Sequence, residues 1–195
     1  MPSGFFIEPF VIAPFLHSLT VFPARRANPQ WVCHLAAGTF SRGFAKIMIN
    51  YSSPDLTQHP PRSLRVRIGG YAHLGRLLDK ARAVIAGKAA EYHYNCPLDQ
   101  QFFAFTGINH EAMLAEIKAG GTDVQILEWV NVQSKRLPHE VASWSTWVEQ
   151  YGPGGAPGHE WIAETLKGHG SERKDIRSFA DLLDLDDYLS YGGKA

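Results

Sequence analysis

"RIGGYAHLGRLLDKARAVIAGK", residues 67–88, decides the fold class. From Tyr71 onward its apolar residues return at helical spacing. Tyr71, Leu74, Leu77, Leu78, Ala81, Val84 and Ile85 share one face at roughly 100° per residue, which predicts an amphipathic helix over about 71–86. The other face does not look like solvated surface. His73, Arg76 and Lys80 lie together on it, Asp79 lies next to Arg76, and Arg82 borders the apolar stripe. The remaining positions are small: Ala72, Gly75, Ala83 and Ala86. A face in open water uses long charged residues throughout, whereas small residues admit another backbone. The helix is therefore expected to be covered on both sides, with Arg76, Asp79 and Lys80 in a crevice.

Further helices extend from it with short, well-marked connections. Leu98 to Thr106 carries Phe102, Phe103 and Phe105 and stops at Gly107. Asn109 is placed to cap a helix over about 110–118, which Gly120 and Gly121 end. Thr122 and Gln125 have the spacing of a capping box, ahead of Ile126, Leu127 and Val130. Pro138 suits the first turn of a helix bearing Val141, Trp144, Val148 and Tyr151. "GPGGAPG", 152–158, is the strongest internal break, and two shorter helices follow near 159–167 and 178–190. "RVRI" and "EYHY" can pair as one small two-stranded ribbon. The predicted fold is mainly α: a compact multi-helix domain over residues 48–195.

Residues 1–47 read differently. They hold seven of the eleven phenylalanines and show neither strand nor helix periodicity. The expectation is a poorly ordered N-terminal extension, or upstream sequence translated ahead of a natural start at Met48.

Composition narrows the function classes. Charged residues are 19 % of the 195 and the formal net charge is zero, so no whole-molecule field favours nucleic acid. Two cysteines, Cys33 and Cys96, make no disulfide framework and fit a reducing compartment, so a cytoplasmic location is expected. No apolar run approaches the roughly 20 residues that a membrane-spanning helix needs. The zero conceals a segregation: residues 62–88 carry seven basic residues against Asp79 alone, whereas 89–195 carry eight basic and sixteen acidic ones.

Several stretches resemble a known family. They are "DLTQHPPRSLRVRIGGYAHLGRLLDKARAVIAGKAAEYHYNCPLDQQFFAFTGI", "ILEWV", Trp144 and the ending "DIRSFADLLDLDDYLSYGGK". Together they are similar to the bacterial domain of unknown function 5069, over about 55–194. The resemblance carries no substrate, cofactor or residue role, so the chemistry must be argued from the residues.

Most motifs dissolve on inspection. "GYAHLGRL", 70–77, has phosphate-loop glycine spacing, but Arg76 and Leu77 replace the lysine and hydroxyl, and no buried strand precedes it. His110-Glu111, His139-Glu140 and His159-Glu160 each lack the second histidine of a zinc helix. His93 and Cys96 supply two candidate zinc ligands where four are usual; they read as a loop histidine and a small buried thiol. Asp181, Asp184, Asp186 and Asp187 lack the spacing of a calcium loop and suit pairing with basic residues. No metal or cofactor is called for.

The basic segment remains. Charges in a crevice must be paired, because isolated buried ions are costly. Glu91, Asp99 or the acidic cluster near 184 can supply the partners from within the chain. Otherwise an anionic ligand can, held by Arg62, Arg67 and the N–H groups of a helix start after Gly69-Gly70. The first expectation is therefore a non-catalytic domain that binds a partner protein or an anionic small molecule, with a conformation-fixing charge cluster. Its ligand-binding candidates are Arg62, Arg67, Gly69, Gly70, Arg76, Lys80, Arg82 and Tyr92. The alternative is a small enzyme acting on a phosphorylated or carboxylated metabolite at the Gly69-Gly70 helix start, with Asp79 or Asp99 as general base. The large acidic C-terminal half weighs against nucleic acid.

Overall fold

The computed structural model describes residues 52–193. The expectations for residues 1–47 lie outside these. Among the described residues there are seven helices: α1 (Leu74–Ile85), α2 (Pro97–Thr106), α3 (His110–Lys118), α4 (Asp123–Ser134), α5 (Pro138–Gln150), α6 (Ala156–Gly168) and α7 (Phe179–Ser190). None of these is long and apolar enough to cross a membrane.

The helix ends follow the capping signals. Asn109 Oδ1 accepts from the N–H groups of Glu111 and Ala112 at 2.9 and 3.0 Å. Thr122 and Gln125 close their reciprocal box, and so do Ser178 and Asp181 at the start of α7. Gly107, at φ 71°, takes the left-handed turn that stops α2.

α1 is the central element. Every residue from Leu74 to Ala83 is buried. Its stripe of Leu74, Leu77, Leu78 and Ala81 enters a core shared with Phe102, Met113, Ile117, Ile126, Val130 and Val148. Phe105 stacks on Trp144 at 4.9 Å between ring centres, and Phe102 meets Trp144 edge-on. The opposite face is covered too, as the small residues predict: Ala72 and Ala83 are fully buried, and the Arg62 guanidinium lies over Gly75.

Four expectations need correction. The helix begins at Leu74, not Tyr71, and Gly69-Gly70 does not open it: residues 68–71 form a tight turn closed by mutual hydrogen bonds of Ile68 and Tyr71. Gly69, at φ 58°, suits that turn: a side chain would be strained there, and its Cβ would displace the tip of Leu127. Val84 and Ile85 are 41 % exposed, because α1 outruns the core by one turn. "RVRI" and "EYHY" do not pair; residues 91–94 are turn and coil, with Tyr92 and Tyr94 turned toward α7 and α3. α6 and α7 are as long as the other helices, α6 starting inside "GPGGAPG" with Pro157 in its first turn.

Candidate functional site

The charged residues of α1 sort into two groups. On one side Asp79, fully buried, takes Arg62 through three hydrogen bonds of 2.7–2.9 Å, from the backbone N–H, Nε and Nη2. Asp79 therefore pairs with Arg62, seventeen residues earlier, and not with its helix neighbour Arg76. Arg62 Nη1 goes on to Asp123, which also receives Arg82 Nη1, both at 2.5 Å. Arg82 Nη2 ends on the Gly121 carbonyl at 3.0 Å. Asp123 opens α4, so the lattice ties the arm before α1 to the α3–α4 corner. Burial pushes the Asp123 carboxyl up, but the two guanidiniums outweigh it and hold it below the usual carboxylate range.

On the other side a cavity of about 620 Å³ opens between α1, the 91–96 loop, the start of α2 and the stretch from the end of α5 to α7. Its walls are apolar: Leu98, Tyr151, Trp161, Phe179 and Leu183. Trp161 and Tyr151 both lean on Phe179, at 5.5 and 5.3 Å between ring centres. Its floor is polar: His73, Arg76 and Lys80 from one face of α1, with Tyr92 and Cys96 from the loop.

Each cation of that floor is matched. Arg76 grips Asp187 of α7 with two bonds, at 2.5 and 3.1 Å, while Tyr92 donates to the same carboxylate at 2.8 Å. The guanidinium also lies 5.5 Å from the centre of the Tyr92 ring. Lys80 Nζ donates to both oxygens of Asp99, at 2.7 and 2.8 Å, and touches Cys96 Sγ at 3.2 Å. Asp99 is the third residue of α2, where the helix start favours a carboxylate. Burial pushes its acid up, but the hydrogen bond from His73 and the charge of Lys80 win, holding it at about 2.

His73 is the exception. Its Nε2 meets Asp99 Oδ1 at 2.7 Å. Its Nδ1 is the one buried side-chain nitrogen or oxygen without a hydrogen-bond partner among the described residues. The residue is 1 % exposed and sits at φ 65°, ψ −24°, an uncommon conformation for anything but glycine. Burial holds the ring neutral by pushing its pKa below 6.5 against the pull of Asp99.

Of the sequence candidates, the cavity gathers Arg76, Lys80 and Tyr92, with Asp99 behind the floor. Arg62, Arg82 and Asp79 belong to the closed lattice. Arg67 reaches across to Glu149 of α5 with bonds of 2.7 and 2.9 Å, and with Gly69 and Gly70 it lines a separate recess of about 400 Å³. Arg65 binds Asp181 and Asp184, and Asp186 takes His169, so the acidic helix end serves as a partner for basic residues. Sequence reasoning left His73 and Cys96 out of the site, and also Trp161, Phe179 and Leu183. His73 carried a signal, sharing the Arg76–Lys80 face; the wall residues Trp161, Phe179 and Leu183, roughly 80 to 110 positions away, carried none. No group of three or more metal-type ligands occurs among the described residues.

A family profile described as a domain of unknown function (DUF5069) matches residues 58–189, which take in α1 to α6 and nearly all of α7. The chain belongs to this family. No curated protein matches it.

Proposed function

We propose that this DUF5069 protein is a binding domain that takes a small organic molecule into the cavity beside α1, while its charge clusters fix the architecture. The observation that carries the reading is the composition of that cavity. A space of about 620 Å³ with aromatic walls and a few buried polar groups on its floor has the size and character of small-molecule sites. A purely structural junction would instead be filled to the density of a core.

The expectation of an anion held by arginines has less support. Arg76 and Lys80 already face Asp187 and Asp99, so an entering anion meets no spare cation. Glu91 and Asp186 at the cavity edge oppose it further. The enzyme alternative has less support as well: Gly69-Gly70 does not offer helix N–H groups to a phosphate, and of its two proposed bases Asp79 is enclosed by Arg62 and Asp99 by Lys80 and His73.

The test is thermal unfolding of the full chain against a panel of small neutral and anionic organic compounds, in parallel with Leu183→Trp, which fills the cavity. A compound at about a hundred times its Kd stabilises the folded state by about 2.7 kcal/mol. The expected result is stabilisation of the parent by neutral compounds that disappears in Leu183→Trp. Stabilisation that persists in the variant, or a panel without effect, overturns the reading.

A further inference from the structure

The charges around the cavity favour one sign of ligand. We infer that it takes an organic cation, an ammonium whose charge is spread over methyl groups, seated between the aromatic walls and Glu91. This rests on the reading of the cavity as a binding site and adds to it the class of ligand.

Four lysine, arginine or acidic side chains line the cavity: Arg76, Lys80, Glu91 and Asp186. The two cations are spent, since Asp187 and Asp99 lie directly against them. The two carboxylates are not. Glu91 is exposed, and among the described residues it makes no hydrogen bond or ion pair. Asp186 is met by the His169 ring at 2.6 Å, and an imidazole cancels its charge only when protonated. His73 adds no charge, because burial holds its ring neutral. Counted with its partners, the cavity keeps an excess of negative charge while its imidazoles are neutral. Apolar walls concentrate such a field instead of screening it. The matched floor also sets the orientation, with the ligand's charge toward the edge that holds Glu91 and Asp186.

The walls say what kind of cation fits. Tyr151, Trp161 and Phe179 come from three successive segments of the chain, and the first two rings are inclined to Phe179 by 62° and 49°. They form an angled set of aromatic surfaces, not a flat stack. Such surfaces attract a cation within about 6 Å of a ring centre, most strongly where water is excluded. A metal ion or a bare ammonium would have to give up tightly held water, and these walls offer no oxygens in return. No group of three or more metal-type ligands occurs among the described residues. A methylated ammonium has fewer N–H groups to leave unsatisfied, or none, and its apolar body suits Leu98 and Leu183.

Three probes of one shape isolate the charge. They are choline; dimethylbutanol, in which carbon replaces the charged nitrogen; and dimethylbutanoate, an anion. The full 15N-labelled chain is titrated at low salt and pH 8, above the ordinary histidine range. The indole N–H of Trp161, identified by its loss in Trp161→Phe, reports cavity occupancy. All three should move it if they enter. Choline is expected to bind about tenfold tighter than dimethylbutanol, the worth of a partly desolvated cation over aromatic faces. Dimethylbutanoate should bind weakest. Glu91→Gln, at an exposed position, should weaken choline about threefold and leave dimethylbutanol unchanged. If dimethylbutanol binds as tightly as choline, or dimethylbutanoate tighter, the cation class is refuted while the cavity reading survives. If Glu91→Gln leaves choline unaffected, the part of Glu91 is refuted. If no probe moves Trp161, both readings fail together.

Discussion

Two sets of buried charges flank α1, and they are finished differently. In the Arg62–Asp79–Asp123–Arg82 lattice the fully buried carboxylate of Asp79 is saturated by one arginine that also reaches a second acid. The groups come from the pre-helix arm, from α1 and from the start of α4, and together they join three segments of the chain. In the His73–Asp99–Lys80 set the same economy of partners holds except at one atom, and that atom belongs to a residue of the cavity floor. The contrast shows that buried charge alone does not mark a site. A closed network fixes geometry, since removing either partner strands the other in low dielectric. The second network is complete except at one enclosed nitrogen, which has no partner to lose.

The comparison can be broken most severely on the closed side. Asp79→Ala strands the Arg62 guanidinium and should destabilise the fold by about 3–5 kcal/mol, read by urea unfolding at neutral pH. A loss below about 1 kcal/mol would mean that the lattice is not what fixes α1.

The open side should show itself through acid. Asp99 sits at about 2 in the fold against 3.8 unfolded, so the unfolded chain binds its proton first as pH falls. Its contribution, on the order of 2 kcal/mol, is present above pH 4 and lost toward pH 2. An Asp99→Asn variant should show a flatter stability profile over that window, whatever its own starting stability.

His73 gives a smaller effect at higher pH. Its folded pKa lies below the unfolded 6.5, so stability is fully present above about pH 7 and falls as the solution is acidified. The slope reaches at most about 1.4 kcal/mol per pH unit below the unfolded value. The check is urea unfolding of the parent and of His73→Gln between pH 7.5 and 5. A parent that gains stability on acidification would show that Asp99 wins over burial and that the ring is charged in the fold.

The mildest expected change is at the cavity wall. Trp161 is 49 % exposed and leans on Phe179, so Trp161→Ala should cost about 1 kcal/mol or less in urea unfolding, yet measurably weaken binding of the compounds that stabilise the parent. A large stability loss with unchanged binding would move Trp161 from the ligand wall to the core.

Much of the fold was legible. The capping residues Asn109 and Thr122 act locally, through hydrogen bonds within three residues, so sequence spacing is enough to read them, while the same kind of box at Ser178 and Asp181 went unread. The covering of α1 on both faces was legible from Ala72, Gly75 and Ala83, because a missing side chain is itself a statement about how near a neighbour can come. The start of α1 was misread because Tyr71 continues the apolar periodicity while its backbone belongs to the Gly69-Gly70 turn. The nearness of Asp79 to Arg76, read from the helix face, does not become a pair for a related reason. Adjacency on a helix face permits a contact, but Arg62 reaches Asp79 with three donors and outbids a neighbour whose own fork is filled by Asp187.

What the residues alone determined is the mainly helical architecture, the burial of the basic helix and the need for acidic partners elsewhere in the chain. These depend on periodicity, on side-chain volume and on the energy of an unpaired buried charge, all properties that the residues bring with them. Only the tertiary structure decided which acid meets which base, and that Trp161, Phe179 and Leu183 wall a cavity whose floor on α1 lies roughly 80 to 110 residues earlier. A cavity is made of what packing leaves unfilled, and no local pattern records a space that arises only when distant helices fail to meet.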